Sequence, residues 1–417
     1  MSASPLQSGD AGALDATVLA IFALVYLGMV LGRLPWLVLD RTGVALLGAI
    51  ALIAAGRLTP AQAWDSVDVP TLALLFALMV ISAQFRLGGF YARLTRSIAG
   101  AEASPAALLG LLVAVAGGLS ALLANDIVCL AMAPVLVEGC TRRRLDPVPF
   151  LLGLACAANV GSAATLIGNP QNMLVGQTLG LSFSGYLLDG GVPAAVGLAL
   201  VWAVICARYR GRWRRELPVA VAPAQRFDPW QTAKGTLVLA LLVLAFLASP
   251  WPREVLALAA AGLLMLSRRM HSREVLGLVD WQLLVLFVGL FVTHAALAAS
   301  GATEQGLAWV SARGLDLAHP APLFVATVLL SNVVSNVPAV MLLLPAADER
   351  TGGPVLALAS TLAGNLFVVG SIANLIVLEQ ASRLGVPIGW REHARVGIPI
   401  TLLTLAVAAG WLALRAA

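Results

Sequence analysis

A polar pentapeptide, Gly168–Asn172, interrupts an otherwise apolar stretch of the chain. The surrounding segment, Leu166–Val175, reads LIGNPQNMLV, and apolar residues flank it on both sides. Pro170 lacks an amide hydrogen and clashes with the preceding helical turn, and Gly168 weakens a helix further. In hydrocarbon, broken backbone is tolerated only where it lines a protein-enclosed cavity or water. The segment therefore predicts a helix break inside a membrane; the alternative is an extramembrane turn between two short spans.

Composition supports the membrane interpretation. Charged residues make up 11% of the 417 residues and hydrophobic residues 60%, whereas soluble domains carry about 25% charged residues. We therefore expect an all-α, polytopic protein in the lipid bilayer of a bacterial-type inner membrane. The net charge of +5 comes almost wholly from arginine, since Lys234 is the only lysine. In such a protein this excess is a signal of topology, and no nucleic-acid partner is expected.

Apolar stretches that could cross a bilayer recur along the whole chain, since a span needs about 20 apolar residues. They are 14–32, 42–57, 69–86, 147–178, 186–207, 235–249, 254–267, 281–299, 354–381 and 396–414. Two more segments, 104–140 and 321–345, each hold a polar break near the middle and have halves too short to cross. They are predicted to be re-entrant hairpins. Segments 87–100 and 302–316 carry charges and aromatic residues and are expected along the interface.

The chain contains an internal repeat. Asn125 recurs as Asn336 after 211 residues, and Asn172 recurs as Asn374 after 202. Further matches follow in the same order: Asp68 with Asp280, Pro134 with Pro345, Asn159 with Asn365, and Gly191-Val192-Pro193 with Gly397-Ile398-Pro399. Such a series predicts two copies of one unit of five spans, each with a hairpin and a broken helix. The copies are 14–208, with hairpin 104–140, and 235–414, with hairpin 321–345; a cytoplasmic linker, 209–234, joins them.

The basic residues indicate how the two copies are oriented. With both termini outside and ten crossings, 21 of the 26 basic residues fall on the cytoplasmic side. The five outside are Arg57, Arg253, Arg313, Arg350 and Arg415. This bias fits the positive-inside rule. Because five crossings is an odd number, the second copy must be inverted, and inverted repeats with broken helices are typical of secondary transporters.

Four motifs in this order resemble the ion transporter superfamily over essentially the whole chain. They are LIGNPQN, the hairpin string ANDIVCLAMAP, its partner SNVPAVMLLLP, and the closing Gly-Val-Pro pattern. That superfamily includes citrate transporters, divalent anion–sodium symporters, arsenite permeases and some sodium/proton antiporters. The resemblance implies that substrate binds between the hairpin tips and the helix breaks. It also implies an elevator-like movement of this core against a scaffold, and a homodimer.

The hairpin tips depart from one branch of that superfamily. Its dicarboxylate symporters carry Ser-Asn-Thr at both tips, whereas this chain has Ala124-Asn125-Asp126 and Ser335-Asn336-Val337. The Asn-Asp pair looks more like the arsenite permeases, and the GNPQN break like poorly characterised anion permeases. The expected function is secondary transport of a small anion, a carboxylate or an inorganic oxyanion, coupled to H⁺ or Na⁺. An arsenite-type efflux permease or a sodium/proton antiporter is the alternative, and an ion channel a remote one.

The candidate binding residues lie at the two breaks and the two tips, where helix ends expose N–H and C=O groups that attract ions. They are Asn125, Asp126, Gly168, Asn169, Asn172, Ser335, Asn336, Gly370, Ser371 and Asn374, with Asn159, Thr165 and Asn365 as secondary candidates. A possible sodium site comprises Asn125, Gly168 and Asn172. The alternative role for these residues is helix capping. No other cofactor is expected, and no enzyme activity, since no H-E-x-x-H motif or clustered His and Asp occurs.

Asp126 is the only acid at a hairpin tip. A carboxylate inside a membrane is costly unless it is paired, protonated or hydrated, and it indicates a functional role by default. Asp126 is therefore predicted to carry a proton. The alternative is that it serves as N-cap of a helix that starts at Ile127.

Overall fold

The computed structural model describes residues 15–32, 38–222 and 226–416, and within these ranges the chain is helical and contains no β-strand. The all-α prediction is therefore confirmed. Three features that the sequence predicts lie outside the described residues. They are the start of the first repeat at residue 14, residues 223–225 of the linker, and Arg33, which is one of the 21 basic residues assigned to the cytoplasmic side.

Twenty α-helices are described, ten of them before the linker. These ten are α1 (Ala16–Leu31), α2 (Arg41–Ala54), α3 (Pro60–Asp65), α4 (Val69–Leu87), α5 (Phe90–Gly100), α6 (Pro105–Leu122), α7 (Asn125–Arg142), α8 (Pro147–Ser162), α9 (Pro170–Thr178) and α10 (Phe183–Arg208). The other ten are α11 (Pro229–Ala248), α12 (Arg253–Met265), α13 (Ser272–Leu276), α14 (Trp281–Ala299), α15 (Ala302–Ser311), α16 (Pro320–Val334), α17 (Asn336–Leu343), α18 (Gly352–Ala363), α19 (Ile372–Arg383) and α20 (Trp390–Ala416).

Six of the described helices are long and apolar enough to cross a membrane: α4, α6, α10, α11, α14 and α20. Shorter apolar helices lie in the predicted spans 14–32, 42–57, 147–178 and 354–381, and α12 lies in the one at 254–267. The span predicted at 147–178 consists of α8 and α9, and the one at 354–381 of α18 and α19. In each pair the α-helix is interrupted, and the second interruption includes a short 3₁₀ helix, Val368–Gly370. Pro170 takes the first position of α9, where its missing N–H costs nothing.

The first hairpin folds back as predicted, but its arms are longer. Leu108 and Leu112, near the start of α6, and Leu136 and Cys140, near the end of α7, line one small cavity, so the two outer ends lie together. Both arms have 18 residues, and α6 is one of the six helices long enough to cross. The prediction that each half is too short is wrong for this hairpin, because α6 has no proline beyond its first turn and continues through its internal glycines to Leu122.

In the second hairpin, α16 has 15 residues and α17 has 8. They are joined by Ser335, which has a φ of 81°. A positive φ is uncommon for a residue with a side chain and costs of order 1–3 kcal/mol. The surrounding helices therefore hold the tip of this hairpin in a strained conformation.

The chain forms two compact units that do not follow the two sequence repeats. One consists of residues 1–68 and 285–316, and the other of 69–284 and 317–417. In the first unit, the Tyr26 hydroxyl lies 2.8 Å from Nε2 of His294, which gives that intramembrane histidine a polar partner. The second unit contains both helix breaks and both hairpins. The repeat boundaries stay a prediction.

Within the second unit, α6 and α8 approach so closely that their backbones touch. A Cβ atom on Gly161 would lie 2.6 Å from the carbonyl carbon of Gly117, closer than real Cβ atoms come. We expect Gly161→Ala to lower the free energy of unfolding by about 1–3 kcal/mol, because backbone rather than a flexible side chain must move. Gly118→Ala is the matched control, since nothing lies within 4 Å of its added Cβ. Equal thermal stability of the two variants would contradict the close packing.

Candidate functional site

The first helix break is held by Asn169, the N-cap of α9. Its Oδ1 accepts from the Asn172 amide at 2.9 Å, and its Nδ2 donates to the Ser162 hydroxyl at 3.0 Å. The first hairpin lies against this break. The Thr165 hydroxyl donates to the Ala121 carbonyl, and a Cβ on Gly168 would lie 2.8 Å from the Ser120 carbonyl oxygen.

Asn172 is fully buried, and both ends of its amide are engaged. Nδ2 donates to the Thr165 carbonyl at 3.0 Å and to the Tyr186 hydroxyl at 3.2 Å. Oδ1 accepts from the Thr361 hydroxyl at 3.0 Å. Asn172 is one of the three residues predicted to bind sodium. Its side-chain oxygen already accepts a hydrogen bond from Thr361, so it is not open to an ion in this structure.

The second break is built in the same way around Asn374. Its Nδ2 donates to the Gly364 and Phe367 carbonyls at 2.9 and 3.4 Å. Its Oδ1 accepts from Asn159 Nδ2 at 3.1 Å, and Asn159 Oδ1 accepts from the Ser371 hydroxyl at 2.7 Å. Each break is thus held by a side chain from the other repeat: Asn159 binds the second break, as Thr361 binds the first.

These contacts correct one of the residue matches that the sequence predicts between the two repeats. The carbonyls that bind Asn172 and Asn374 belong to residues 165 and 367, which are 202 residues apart. The same spacing pairs Asn159 with Thr361, not with Asn365. The predicted match of Asn159 with Asn365 is wrong in this sense, although the two are hydrogen-bonded at 2.8 Å. The spacing of 206 misled because two asparagines happened to match while the true partner is a threonine.

The second hairpin tip lies against the second break and carries buried polar atoms without partners. A Cβ on Gly364 would lie 3.3 Å from Nδ2 of Asn336, and one on Gly370 would lie 3.4 Å from Oδ1 of Asn332. Oδ1 of Asn332, Oδ1 of Asn336 and the Ser331 hydroxyl have no hydrogen-bond partner among the described residues. Such atoms are rare in folded proteins and call for a ligand, an ion or water.

Asp126 is not the N-cap that the alternative interpretation required. α7 begins at Asn125, two residues earlier than expected, and its N-cap is Ala124, which makes no side-chain cap. The Asn125 side chain accepts from the Asp126 amide at 3.0 Å. Within the described part of the chain, the half-buried Asp126 carboxylate has no hydrogen bond or ion pair. The carboxylate of Asp280, which has the same charge, repels it.

Helix capping explains only one of the predicted binding residues. Asn169 caps α9, whereas Ser335 and Ser371 occupy N-cap positions without a side-chain cap. Ser371 instead bonds to Asn159. The capping alternative therefore accounts for a single member of the set.

Sequence reasoning missed several residues that hold the breaks. The Tyr186 hydroxyl donates to the Ala163 carbonyl at 3.0 Å, and His393 donates through Nε2 to the Asn365 carbonyl at 3.1 Å. Each ring lies four residues before a glycine, Gly190 or Gly397, that packs against the same carbonyl. This shared spacing could have pointed to them. Ser120, 211 residues before Ser331, was missed too, and its buried hydroxyl likewise lacks a partner among the described residues.

Comparison with known proteins places this arrangement in context. A family model described as "Citrate transporter" matches residues 18–363. An uncharacterized transporter of Mycobacterium tuberculosis is 30% identical over 404 residues, covering 90% of this chain and 94% of the relative. A silicon efflux transporter of Oryza sativa subsp. japonica is 29% identical, covering 93% and 95%. The crystal structure of the Alcanivorax borkumensis YdaH transporter, described as having an unusual topology, aligns with a TM-score of 0.55 at 17% identity and covers 95% of each chain.

Proposed function

This chain belongs to the citrate transporter family, and from that premise we propose that it moves a small oxyanion or carboxylate across the inner membrane by alternating access. It is a multi-pass membrane transporter and not an enzyme. The observation that carries the proposed site is the set of buried, unpartnered atoms on Ser331, Asn332 and Asn336 beside the second break. A substrate or ion bound there would supply the missing hydrogen bonds or coordination.

The chemistry of the site favours a small anion of low charge. The side chains that hold the breaks are amides, hydroxyls and a histidine, and no Arg or Lys hydrogen-bonds to them within the described residues. Attraction for an anion would then come from the N-termini of α9, α17 and α19, each equivalent to about half a positive charge. Such partial charges suit a monoanion better than a fully ionised tricarboxylate.

A second candidate is efflux of a neutral, hydroxylated oxyacid. The same observation supports it, because a set of amides and hydroxyls without a basic side chain can bind O–H groups without compensating a charge. A silicon efflux transporter is among the relatives, and that name describes the relative alone. In this case the coupling ion, H⁺ or Na⁺, would move across the membrane in the direction opposite to the substrate.

Transport by purified protein in proteoliposomes separates the two candidates. The panel comprises citrate, phosphate, acetate and arsenous acid, with pH and sodium gradients imposed one at a time. We expect uptake of a low-charge anion to follow an inward proton gradient. Accumulation of arsenous acid alone would favour the neutral oxyacid, and accumulation of citrate trianion alone would overturn the charge argument.

The coupling ion is proposed to be a proton carried by Asp126. An ionised Asp126 would repel an anion, whereas a protonated one could donate a hydrogen bond to it. Binding of anion and proton would then favour each other. Sodium is the alternative, and the unpartnered oxygens of Asn332 and Asn336 would suit it better than the engaged oxygen of Asn172.

We also propose an elevator-like movement in a homodimer. In support, both breaks and both hairpins fall within one compact unit, as a rigid moving body requires. The homodimer rests on the family resemblance.

The orientation proposed from the basic residues has a direct test. Single cysteines at Val221 and Trp251, which are 73% and 64% exposed, flank α11. In a cysteine-free background, an impermeant thiol reagent should label Val221→Cys from the cytoplasm and Trp251→Cys from outside. Labelling of both from one side would contradict the topology with both termini outside.

A further inference from the structure

A cavity of about 430 Å³ lies between the start of α11 and the segment that follows α12. It is lined by Trp230, Gln231, Lys234, Leu266, Ser267, Arg268 and Arg269. Three of these side chains are cationic, and the only lysine of the chain is one of them. The cavity belongs to the second compact unit and contains none of the residues assigned to transport above.

The cations in this cavity retain free hydrogen-bond donors. Lys234 Nζ donates to the Leu264 and Leu266 carbonyls at 3.2 and 2.8 Å, and an ammonium with three donors keeps one for a ligand. Arg268 is exposed and makes no hydrogen bond or ion pair among the described residues. Arg269 is paired with Asp228 at 3.3 Å. The charge of Arg269 is therefore balanced by Asp228, whereas Lys234 and Arg268 have no acidic partner.

Asp228 does not cancel this excess at physiological pH. Its carboxylate accepts from the Gln231 amide and pairs with Arg269, and these interactions hold the pKa of Asp228 below its ordinary value. It is therefore ionised and paired with Arg269 across the neutral range, and the pair is lost only as the pH falls through that lowered pKa.

An apolar stripe continues from the cations along the same face of α11. Trp230 and Lys234 are followed at helical spacing by Leu237, Leu241 and Leu244, which are 62%, 56% and 59% exposed. Tryptophan is enriched at the headgroup level of membranes, and exposed leucines suit the acyl region. A cationic cavity at the head of an apolar stripe matches an amphiphile with an anionic headgroup, whereas free phosphate would make no use of the leucines.

We propose that this cavity binds the phosphate headgroup of an anionic phospholipid, whose acyl chains lie along Leu237, Leu241 and Leu244. Basic pockets between membrane helices on the cytoplasmic side commonly hold such headgroups. The lipid would join the start of α11 to the end of α12, since its phosphate would contact Lys234 and Arg268 together.

Native mass spectrometry of the full chain, released from nanodiscs of phosphatidylglycerol and phosphatidylcholine, tests the proposal. We expect selective retention of phosphatidylglycerol. Arg268→Gln, which breaks no internal contact, should reduce it about fivefold, and adding Lys234→Gln should reduce it further. Arg210→Gln is the matched control, since this arginine is exposed, lies outside the cavity and should change nothing.

Two outcomes would overturn the proposal. One is equal retention of phosphatidylglycerol by the wild type and Arg268→Gln. The other is displacement of the lipid by soluble glycerol phosphate at comparable concentration, which would identify the cavity as a site for free phosphate. Retention of phosphatidylglycerol that is weakened by salt and resists glycerol phosphate supports the lipid.

Discussion

Asp126→Asn should abolish the response of transport to an imposed pH gradient while leaving substrate exchange intact. The amide mimics the protonated carboxyl in shape and can still donate a hydrogen bond, so substrate binding should persist. It cannot release a proton, so a proton gradient can no longer drive accumulation. We expect counterflow within about threefold of the wild type and gradient-driven accumulation reduced by about tenfold or more, equivalent to at least 1.4 kcal/mol of lost coupling.

The control for this variant lies on the same helix. Glu138→Gln removes an acid near the other end of α7, where Glu138 pairs with Arg142 at 2.7 Å, and it should keep the normal pH response. A wild-type pH dependence in Asp126→Asn would remove Asp126 from the coupling mechanism. Helix capping could not then account for the residue either, because the side-chain cap is absent at this helix start.

The local features of the fold were predictable from the sequence because they depend on local chemistry. Pro170 and its neighbours cannot continue a helix, so α8 ends at Ser162 and α9 begins at Pro170. The hairpins followed from polar residues in the middle of apolar segments. The length of α6 was underestimated because the position of the turn, after Leu122, is set by the contacts of the tip.

The contacts between the repeats could not be predicted, because they join residues that are far apart in sequence and ordinary in type. Thr361 lies in the apolar string LALASTLAGN, where nothing marks it as the residue that binds both Asn169 and Asn172. The unpartnered oxygen of Asn332 could not be predicted either, since an asparagine on an apolar helix usually hydrogen-bonds to a neighbouring helix. Only the packed structure distinguishes polar atoms that are satisfied from those that are not.

That distinction divides the predicted binding residues into two groups. The first group makes hydrogen bonds within the group, to Thr361 or to nearby backbone, and these bonds hold the two broken helices together. It consists of Asn159, Asn169, Asn172 and Asn374. Between the two hairpins, the second carries more of the buried atoms without a partner, on Ser331, Asn332 and Asn336. Substitutions in the first group should therefore lower stability, and substitutions in the second should lower transport at unchanged stability.

Asn159→Ala should destabilise the protein, and Asn336→Ala should impair transport without destabilising it. Removing the Asn159 amide leaves Asn365, Asn374 and Ser371 without their buried partner, at about 1–3 kcal/mol for each unsatisfied group. Removing the Asn336 amide deletes an oxygen that has no partner among the described residues, so the free energy of unfolding should change by no more than about 0.5 kcal/mol. Transport should nevertheless fall about tenfold or more, since a ligand bond worth about 1.4 kcal/mol is lost.

Thermal unfolding in detergent, with and without substrate, measures both effects on the same samples. Asn159→Ala should unfold at a lower temperature in either condition. Asn336→Ala should match the wild type without substrate but gain less stabilisation when substrate is added, because a ligand stabilises only in proportion to its affinity for the folded state. Substrate that stabilises Asn336→Ala as strongly as the wild type would show that the open oxygen at the second tip does not contact it. The site would then have to be sought at the first tip, where the Ser120 hydroxyl and the Asp126 carboxylate have no partner among the described residues.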